Sequence, residues 1–316
     1  MQDNPLVSVL INNYNYGRFL KQAIDSALNQ TYPHLEVIVV DDGSTDNSRE
    51  IIGSYGDKIT PVLKENGGQA SAFNAGFAAS QGKIICFLDS DDAFLPEKLT
   101  EVVKAFDNHQ ELGWCFHFLK QVDVGGQISV SNDSNKHSLN SSNNQESFSR
   151  EYDLRDCIKT GQVKGKIPAL PSTSGLCFNR SLLEQILPMP EAKTIGLNDS
   201  YLEFAAFGLS QGLILNKELA LYRVHDSNAY SRMNNQQQVQ ARIIIHTAYW
   251  LRHKFPRFSK CTNKMLAIGI GMYKRAGGIE SECKDLVKKY LSSVNFLEKI
   301  EIYAEAFFNF IRNTKY

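Results

Sequence analysis

The sequence lacks the glycine-rich phosphate loops G-x-G-x-x-G and G-x-x-x-x-G-K-[ST], so neither a Rossmann dehydrogenase nor a P-loop enzyme is expected. Its six cysteines form no C-x-x-C pair, which argues against a zinc site of that kind and against a thioredoxin-type motif. Scattered cysteines of this sort are typical of small buried residues in a reducing compartment rather than of a disulfide framework.

The sequence also lacks an excess of charge of either sign, with 34 basic and 34 acidic residues. Binding to nucleic acid usually needs a basic surface, so no nucleic-acid partner is expected. No stretch reaches 18 apolar residues, and Met1–Pro5 does not begin a signal peptide. We therefore expect a cytoplasmic protein without a transmembrane helix.

Strand and helix patterns alternate in the first half of the chain. Apolar runs typical of buried strands occupy residues 6–11, 35–40, 59–63 and 83–88, and helical spacing follows each run. This alternation predicts β-α-β units, an α/β fold class and a mainly parallel sheet.

The second half of the chain is less regular. Residues 115–124 and 213–222 have strand patterns, whereas residues 131–150 are rich in Ser and Asn and are predicted to be a loop. From residue 236 onward the pattern is helical. We therefore expect a helical extension after the α/β part.

Three polar clusters follow three of the predicted strands. They are Asn12–Asn15, Asp41–Ser44 and Asp89–Asp92. In an open parallel sheet, ligands bind beyond the carboxyl ends of the strands. The three clusters are therefore expected to converge at one edge of the sheet and to form a binding site.

The cluster at residues 89–92 places three carboxylates within four residues. Unpaired carboxylates this close repel one another and raise one another's pKa, and a divalent cation removes that penalty. A solvated acidic turn is the alternative, but a position directly after a buried strand favours a metal site. Asp41-Asp42 alone would also suit a receiver-type signalling domain, although such a pair would follow the first strand.

The three clusters and the strands before them resemble the family 2 glycosyltransferases of GT-A fold. The motifs are Val7–Asn15, Val39–Asp46 and Phe87–Asp92, in that order. The likeness covers roughly residues 6–230 and implies a GT-A domain with a mainly parallel, Rossmann-like sheet flanked by helices.

The resemblance also implies a domain organisation. Residues 1–235 would be the GT-A domain, with a nucleotide-binding half at 1–125 and an acceptor half at 126–235. Residues 236–316 would be the helical C-terminal extension.

The resemblance implies a role for each motif residue. The implied nucleotide-binding residues are Asn12, Tyr14, Asn15, Asp42, Asn66, Gly68, Asp89 and Ser90. Tyr14 would stack on the base, Asp42 would accept a hydrogen bond from it, and Asp89 would lie on the ribose side.

A divalent metal, Mn²⁺ or Mg²⁺, is implied as the cofactor. Asp91, Asp92 and His225 would hold it, and Arg223 would lie on the phosphate side, although Arg223 would equally suit a structural ion pair. Phe73 stands where the family often has an arginine, so an apolar side chain replaces one positive charge that would neutralise phosphate.

Asp199 matches the position of the family's catalytic base and precedes a helical pattern. A positioned carboxylate that removes the acceptor's proton contributes about 10²–10⁴ in rate. A lone Asp before a helix is otherwise most often an N-cap.

These roles imply an inverting, metal-dependent enzyme that moves a hexosyl group from a UDP-sugar to a hydroxyl of a glycan or lipid-linked acceptor in polysaccharide biosynthesis. The alternative is a degenerate GT-A domain that binds a nucleotide sugar or glycan without turnover. The absence of a Q-x-x-R-W segment argues against a processive synthase.

Residues 296–311 combine aromatic and aliphatic side chains in a helical pattern. Such a helix would either pack on a core or lie at the inner face of a membrane that carries a lipid-linked acceptor. The packed helix is the commoner case.

Overall fold

The computed structural model describes residues 4–127, 149–162, 170–191, 199–226, 228 and 236–311. Most of the segment predicted to be a Ser/Asn-rich loop lies outside these residues. The division at residue 235 rests on the resemblance alone and stays a prediction.

The chain forms two compact units. The first, called the sheet unit here, combines residues 1–153, 167–191 and 209–226. The second, the helical unit, combines residues 154–166, 192–208 and 227–316.

The sheet unit is built on one sheet. Its strands in the described part of the chain are β1 (Val7–Asn13), β2 (Leu35–Asp42), β3 (Thr60–Lys64), β4 (Ile84–Asp89), β5 (Ala93–Phe94), β6 (Trp114–Val122), β7 (Arg150–Tyr152), β8 (Leu176–Asn179) and β9 (Gly212–Arg223). They follow the order β3-β2-β1-β4-β8-β6-β9-β5, and β7 also pairs with β9.

Most of the strand pairs are parallel. β1 pairs in parallel with β2 and β4, β2 with β3, and β6 with β9. β8 runs antiparallel between β4 and β6, and the short strands β5 and β7 are antiparallel to β9. The predicted α/β class with a mainly parallel sheet is therefore confirmed.

Helices alternate with the parallel strands and continue after them. They are α1 (Gly17–Leu28), α2 (Ser48–Gly53), α3 (Gln69–Ala79), α4 (Lys98–Asn108), α5 (Arg155–Thr160), α6 (Arg180–Ile186), α7 (Asp199–Leu209), α8 (Gln236–Lys254), α9 (Ser259–Arg275), α10 (Ser281–Ser292) and α11 (Phe296–Ile311). The helical extension predicted from residue 236 onward corresponds to α8–α11.

The core of the sheet unit lies between α1, α4 and the central strands. α1 buries Phe19, Leu20, Ala23, Ile24 and Ala27 at helical spacing, and all of these except Phe19 belong to one apolar cluster with Val9 and Val39. Burying a side chain such as leucine or isoleucine contributes about 1.5–3 kcal/mol. This packing holds the start of α1 beside the carboxyl ends of β1 and β2.

The helical unit has its own polar and apolar contacts. The Tyr290 hydroxyl on α10 lies 2.9 Å from Thr262 Oγ1 and donates to Asn263 Oδ1, both on α9. Arg242 on α8 donates two hydrogen bonds from Nη2 to the carboxylate of Glu280. None of the helices described is long and apolar enough to cross a membrane.

Candidate active site

The ends of β1, β2 and β4 lie side by side. Asn13 is opposite Asp41 in the β1–β2 register, and Asn12 is opposite Asp89 in the β1–β4 register. The predicted convergence of the three polar clusters at one edge of the sheet is therefore confirmed.

Asp41 holds the loop after β2. Its buried carboxylate accepts hydrogen bonds from Asn13 Nδ2 at 3.0 Å, Ser44 N at 3.2 Å and Arg49 Nε at 2.8 Å. Burial alone would raise the pKa of Asp41, but the hydrogen bonds from Ser44, Arg49 and Asn13 lower it below its ordinary value. Asp41 is therefore a charged anchor at neutral pH.

Asp42, predicted to contact the base, organises the loop that follows β3. Its Oδ1 accepts from Lys64 Nζ at 2.6 Å and Gly67 N at 2.9 Å. Its Oδ2 accepts from Gly68 N at 2.8 Å and Asn66 Nδ2 at 3.2 Å. A carboxylate offers about four acceptor sites, so Asp42 must release one of these donors to accept from a base.

Asn66 and Gly68, predicted to contact the nucleotide, thus lie in a loop held by Asp42. Gly68 has a φ of 85°, a left-handed conformation that favours glycine. This conformation places its backbone N–H on the carboxylate. Asn66 and Gly68 are therefore placed near the strand ends by the loop after β3 and not by a strand.

The loop after β1 presents Tyr14 and Asn15. Tyr14 is 48% exposed, which leaves its ring accessible for stacking. Asn15 accepts from Thr45 N at 2.7 Å through its side-chain oxygen, and Asn15 N donates to Ser44 Oγ. Asn15 therefore joins the loops after β1 and β2.

Asn12 differs from its neighbours. Its side-chain oxygen and nitrogen are both buried, and no hydrogen-bond partner for either atom is found among the described residues. A buried amide without partners carries a free-energy cost that a polar ligand would remove. This observation agrees with the predicted contact between Asn12 and the nucleotide.

The acidic turn after β4 divides into two parts. Ser90 is buried and its N–H donates to Asn12 O, while Asp89 N donates to Ser174 Oγ. Asp92 is also buried, and its carboxylate accepts from Arg223 N at 3.0 Å and from the Ser174 hydroxyl at 2.6 Å. Ser90 and Asp92 thus face into the protein.

Burial and the neighbouring Asp91 charge raise the pKa of Asp92 to about 8. A carboxyl held inside the sheet unit by these contacts is placed to anchor the turn. Of the residues predicted to bind metal, Asp92 and His225 are both buried, whereas the side chain of Asp91 is 15% exposed.

Asp91 and His225 meet at this turn. His225 Nε2 lies 3.0 Å from Asp91 Oδ2, and His225 Nδ1 lies 3.1 Å from Arg18 Nη2. A guanidinium has only donors, so Nδ1 accepts from Arg18. A neutral imidazole that accepts at Nδ1 carries its hydrogen on Nε2 and donates it to Asp91.

The predicted phosphate-side residue Arg223 is buried. Its guanidinium donates to Asp91 O at 3.0 Å, Val124 O at 2.9 Å and Gln22 Oε1 at 2.6 Å. These contacts tie the end of β9 to α1 and to the acidic turn. Two roles were expected for Arg223, phosphate binding or a structural contact, and its position in the sheet unit favours the structural role.

The start of α1 contributes residues that the sequence reasoning missed. The His225 ring lies against Tyr16 and Phe19, with centroids 5.4 Å and 4.7 Å away. Burial, with the charges of Asp91 and Asp89, raises the pKa of Tyr16 to about 12, so its hydroxyl stays protonated. The signal was present in Tyr14–Phe19, where aromatic and basic residues directly follow the first polar cluster.

The Asp91–His225 pair fits a divalent cation. Two adjacent ligands of an octahedral ion would lie about 3.0 Å apart, so the 3.0 Å hydrogen bond between His225 Nε2 and Asp91 Oδ2 is compatible with a shared cation. Within the described ranges no group of three His, Cys, Asp or Glu side chains forms a metal site, so the remaining positions would fall to phosphate and water. Ligation by Nε2 would move the ring hydrogen to Nδ1 and release Arg18.

Asp199, the predicted base, lies in the helical unit as the first residue of α7. Its Oδ1 accepts from Ser200 N at 2.9 Å, and its side chain is partly buried. One turn later, burial and then the Asp199 charge raise the pKa of Glu203 well above its ordinary value. The surroundings of Glu203 therefore favour its neutral form.

Comparison with known proteins identifies the family. A model described as "Glycosyl transferase family 2" matches residues 8–165. An uncharacterised glycosyltransferase of Nostoc sp. is 36% identical over 226 residues, which is 70% of this chain and 66% of that protein. An uncharacterised glycosyltransferase of Rickettsia typhi is 32% identical over 74% of this chain and 68% of that protein.

The chain belongs to glycosyl transferase family 2, so the resemblance to this family is confirmed and the receiver-type alternative is wrong. The alignments span about two thirds of the Nostoc protein and 36% of a related Rickettsia prowazekii glycosyltransferase. A shorter match, 39% identical over 127 residues, is to the chondroitin synthase of Pasteurella multocida.

Solved structures share the fold. S. aureus TarS 1–349 in complex with UDP-GlcNAc has a TM-score of 0.55 and 19% identity, covering 96% of this chain and 89% of that one. The mannosyltransferase PcManGT of Pyrobaculum calidifontis in complex with GDP-Man and Mn²⁺ has a TM-score of 0.52 and 16% identity, covering 99% and 89%. The predicted GT-A fold is confirmed.

Proposed function

We propose that this protein transfers a hexosyl group from a UDP-sugar to a hydroxyl of a glycan or lipid-linked acceptor, with inversion at the anomeric carbon. The proposal rests mainly on the edge of the sheet where β1, β2 and β4 end side by side. At this edge His225 Nε2 and Asp91 Oδ2 lie 3.0 Å apart. Family membership and neighbours solved with nucleotide sugars support the same donor class.

The donor's nucleotide would lie along this edge. Tyr14 presents an exposed ring to the base, and the buried amide of Asn12 gains a partner. Asp89 lies opposite Asn12 in the strand register and takes the ribose side. Asp42 contributes by holding the loop with Asn66 and Gly68 in place.

Asp91 and His225 would hold a Mn²⁺ or Mg²⁺ ion. When bound, such an ion stabilises the negative charge of a diphosphate leaving group. Asp92 supports this pair by fixing the backbone of the turn through Arg223 N and Ser174. The roles of individual residues in binding the nucleotide, the metal and the phosphates are all parts of this proposal.

Asp199 would remove the proton from the acceptor hydroxyl. The assignment rests on the resemblance, and the position of Asp199 at the start of α7 is also that of an N-cap. The two roles differ in what they predict for the variant Asp199→Asn, because asparagine is as good an N-cap as aspartate but is not a base.

The test measures donor binding and donor turnover separately. Thermal shifts with UDP, GDP, UDP-GlcNAc and GDP-Man, with and without Mn²⁺, report binding, and stabilisation should reach about 2.7 kcal/mol at 100 times Kd. Slow hydrolysis of the bound nucleotide sugar reports turnover. We expect Asp199→Asn to bind donor normally and to lose about 10²–10⁴ in turnover.

Asp285→Asn is the matched control, because Asp285 is an exposed acid in the same helical unit. It should leave both measurements unchanged. Donor binding with no hydrolysis in wild type as well as in Asp199→Asn would favour the degenerate binding module. Absence of all nucleotide binding would overturn the proposal.

We also propose that α11 contacts a membrane surface. One side of α11 is buried through Ile302, Ala306 and Asn309, which accounts for the packed-helix alternative. A second apolar side is exposed, and its members are Phe296, Leu297, Ile300, Tyr303, Phe307, Phe308, Phe310 and Ile311. Packing within the helical unit therefore accounts for the buried side of α11 but not for its exposed apolar side.

The polar residues Glu301 and Glu305 beside this apolar side are exposed and acidic. Burial of apolar surface, rather than attraction to anionic lipid, would therefore drive binding. The wild-type protein should co-sediment with phosphatidylcholine vesicles, and the double variant Phe296→Ser, Phe307→Ser should not. Val124→Ser removes an exposed apolar side chain elsewhere and should bind as wild type does.

Failure of wild type to co-sediment would end the membrane proposal. The spacing of four and three residues from Phe296 through Ile300, Tyr303 and Phe307 also suits a second helix. A concentration-dependent dimer that the double variant abolishes would assign the surface to that contact instead.

A further inference from the structure

The segment that carries α8 and α9 has an unbalanced charge, although the total charge of the chain is zero. Residues 227–279 contain nine Lys or Arg residues and no Asp or Glu. Acids from later segments offset part of this charge, because Arg242 pairs with Glu280 and Arg252 lies 3.5 Å from Glu298. An excess of one sign over this length makes part of the helical unit basic.

Part of the excess lies where α9 begins. Arg257, Lys260 and Lys264 are all exposed. Their spacing of three and four residues places them on one side of the helical turns that run from Pro256–Phe258 into α9. These three residues are called the basic corner here.

Helix stability does not explain the basic corner. The amino-terminal end of a helix dipole is positive, so a cation in the first turn is unfavourable and an acid is favourable. Lys260 is the second residue of α9, and the first turn of α9 contains no acid. The basic residues 252–254 differ, since they end α8 and complement its dipole. Positive charge at the start of α9 instead suits an anionic partner.

The exposed apolar side of α11 begins at the same end of the helical unit. Glu298, in the first turn of α11, accepts a hydrogen bond of 3.0 Å from Asn263 Nδ2. Asn263 lies in the stretch of α9 that carries the basic corner. Phe296 and Leu297 directly precede Glu298 and are 74% and 71% exposed. The start of α11 and the basic corner are therefore neighbours.

Basic residues beside exposed apolar side chains fit an anionic lipid surface. The apolar side chains enter the boundary between headgroups and acyl chains, and Lys or Arg contacts the lipid phosphates. α11 cannot supply this positive charge, because its exposed residues Glu301 and Glu305 are acidic. A soluble polyanion would use the charge of the basic corner but would leave the apolar side chains in water.

We propose that the basic corner binds the phosphates of anionic lipids and gives the membrane contact of α11 a preference for an anionic surface. The inference rests on the membrane contact proposed for α11, and it names the lipid class. Each Lys or Arg close to an anionic surface strengthens binding by about fivefold. The three residues together should therefore give a preference of about tenfold to hundredfold.

The experiment measures partitioning of the full chain into two kinds of vesicle. One kind is phosphatidylcholine alone, and the other is an equal mixture of phosphatidylcholine and phosphatidylglycerol. Wild type should bind the anionic vesicles about tenfold to hundredfold more tightly. High salt should remove most of this difference, because the Debye length falls from about 10 Å at 0.1 M to about 3 Å at 1 M.

The double variant Lys260→Gln, Lys264→Gln tests the basic corner directly. We expect its binding to anionic vesicles to weaken by about tenfold to thirtyfold, with binding to phosphatidylcholine unchanged. Its melting temperature should equal or exceed that of wild type, because glutamine is a good helix former and the unfavourable charge at the start of α9 is removed.

Lys274→Gln, Lys284→Gln is the matched control, because both lysines are exposed in the same helical unit. Lys274 lies about 20 Å along α9 from the start of the helix. Lys284 lies in the first turn of α10, where the Tyr273 hydroxyl of α9 donates to Cys283 Sγ at 3.3 Å. The control removes the same charge at the opposite end of α9 and should bind both vesicles as wild type does.

Equal binding of wild type to the two kinds of vesicle would overturn this inference and leave the membrane contact of α11 standing. Equal losses in both double variants would also overturn it, because the effect would then follow total charge. Loss of retention on immobilised polyphosphate with unchanged vesicle binding would assign the basic corner to a soluble polyanion instead. Binding to neither kind of vesicle would end the membrane proposal for α11 together with this inference.

Discussion

Three buried charged side chains of the sheet unit are well supplied with hydrogen bonds, whereas one buried acid of the helical unit is not. Asp41, Asp42 and Arg223 are buried in the sheet unit, and each forms at least three hydrogen bonds. Glu203 is equally buried in the helical unit, yet its Oε1 has no hydrogen-bond partner among the described residues. Hydrogen bonds lower the pKa of Asp41 against its burial, and burial raises that of Glu203.

The difference separates two uses of an acidic residue. In the sheet unit, charged side chains such as Asp41 and Asp42 hold loops at the strand ends. In the helical unit, burial favours the neutral form of Glu203, one turn after the proposed base Asp199. The following variants test this contrast.

The largest effect is expected for Arg223→Met. Removing the guanidinium takes away three hydrogen bonds from a charged donor, to Asp91 O, Val124 O and Gln22 Oε1, and each such bond contributes about 1.5–3 kcal/mol. We expect the free energy of unfolding to fall by about 3 kcal/mol or more, measured by urea denaturation. Arg18→Met is the control, because Arg18 contacts the same Phe19 ring from an exposed position, and it should change stability by less than about 0.5 kcal/mol.

Asp42→Asn should have the next largest effect. An amide keeps one acceptor oxygen, so two of the four donors around Asp42 lose their partner, and Lys64 loses its ion pair. We expect a loss of about 2–4 kcal/mol in the free energy of unfolding, since each unsatisfied donor costs about 1–3 kcal/mol. Asp57→Asn, at an exposed acid, should be neutral. Equal stability of both variants would contradict a structural role for Asp42.

Glu203→Gln should become more stable than wild type as the pH rises. Burial raises the folded-state pKa of Glu203, so its contribution to stability is complete below the unfolded-state pKa and is lost as pH rises toward the folded-state value. Glutamine does not titrate. The difference in the free energy of unfolding between Glu203→Gln and wild type should therefore widen by at most about 1.4 kcal/mol for each pH unit in this range.

Thermal melts of Glu203→Gln and wild type between pH 5 and pH 9 measure the gap. Glu301→Gln, at an exposed acid of α11, should track wild type at every pH. A constant difference between Glu203→Gln and wild type would show that Glu203 is ionised in the folded protein.

The smallest effect on stability is expected for Phe307→Ala. Phe307 is 59% exposed on α11, whereas Ile302 is 1% exposed on the same helix. We expect Phe307→Ala to change the free energy of unfolding by less than about 0.5 kcal/mol, and Ile302→Ala to lower it by about 2–5 kcal/mol. Similar losses for both would mean that the apolar side of α11 is covered by this chain.

Much of the sheet unit is predictable from sequence. The β-branched runs before Asn12, Asp41 and Asp89 become β1, β2 and β4, because apolar strands buried on both faces have a continuous apolar pattern. The short strands β5 and β7 are not predictable in this way. They contain two and three residues, too few for any periodicity.

The candidate site is predictable at its strand ends and not beyond them. Asn12, Asp89 and Asp91 are found from their place after apolar strands. Arg18 and Tyr16 are not, since a basic residue and an aromatic residue at the start of a helix are common on any surface. Only the packing of Phe19 and the chain's return at β9 bring them to His225.

The sequence by itself determines the α/β class, the glycosyl transferase family and the three polar strand ends, because these depend on patterns within short segments. The tertiary structure decides which charged side chains are buried and which are exposed. Arg18 and Arg223 carry the same charge but lie 205 positions apart in the chain. Arg223 is buried where carbonyl and amide oxygens from three segments meet it, and Arg18 is not.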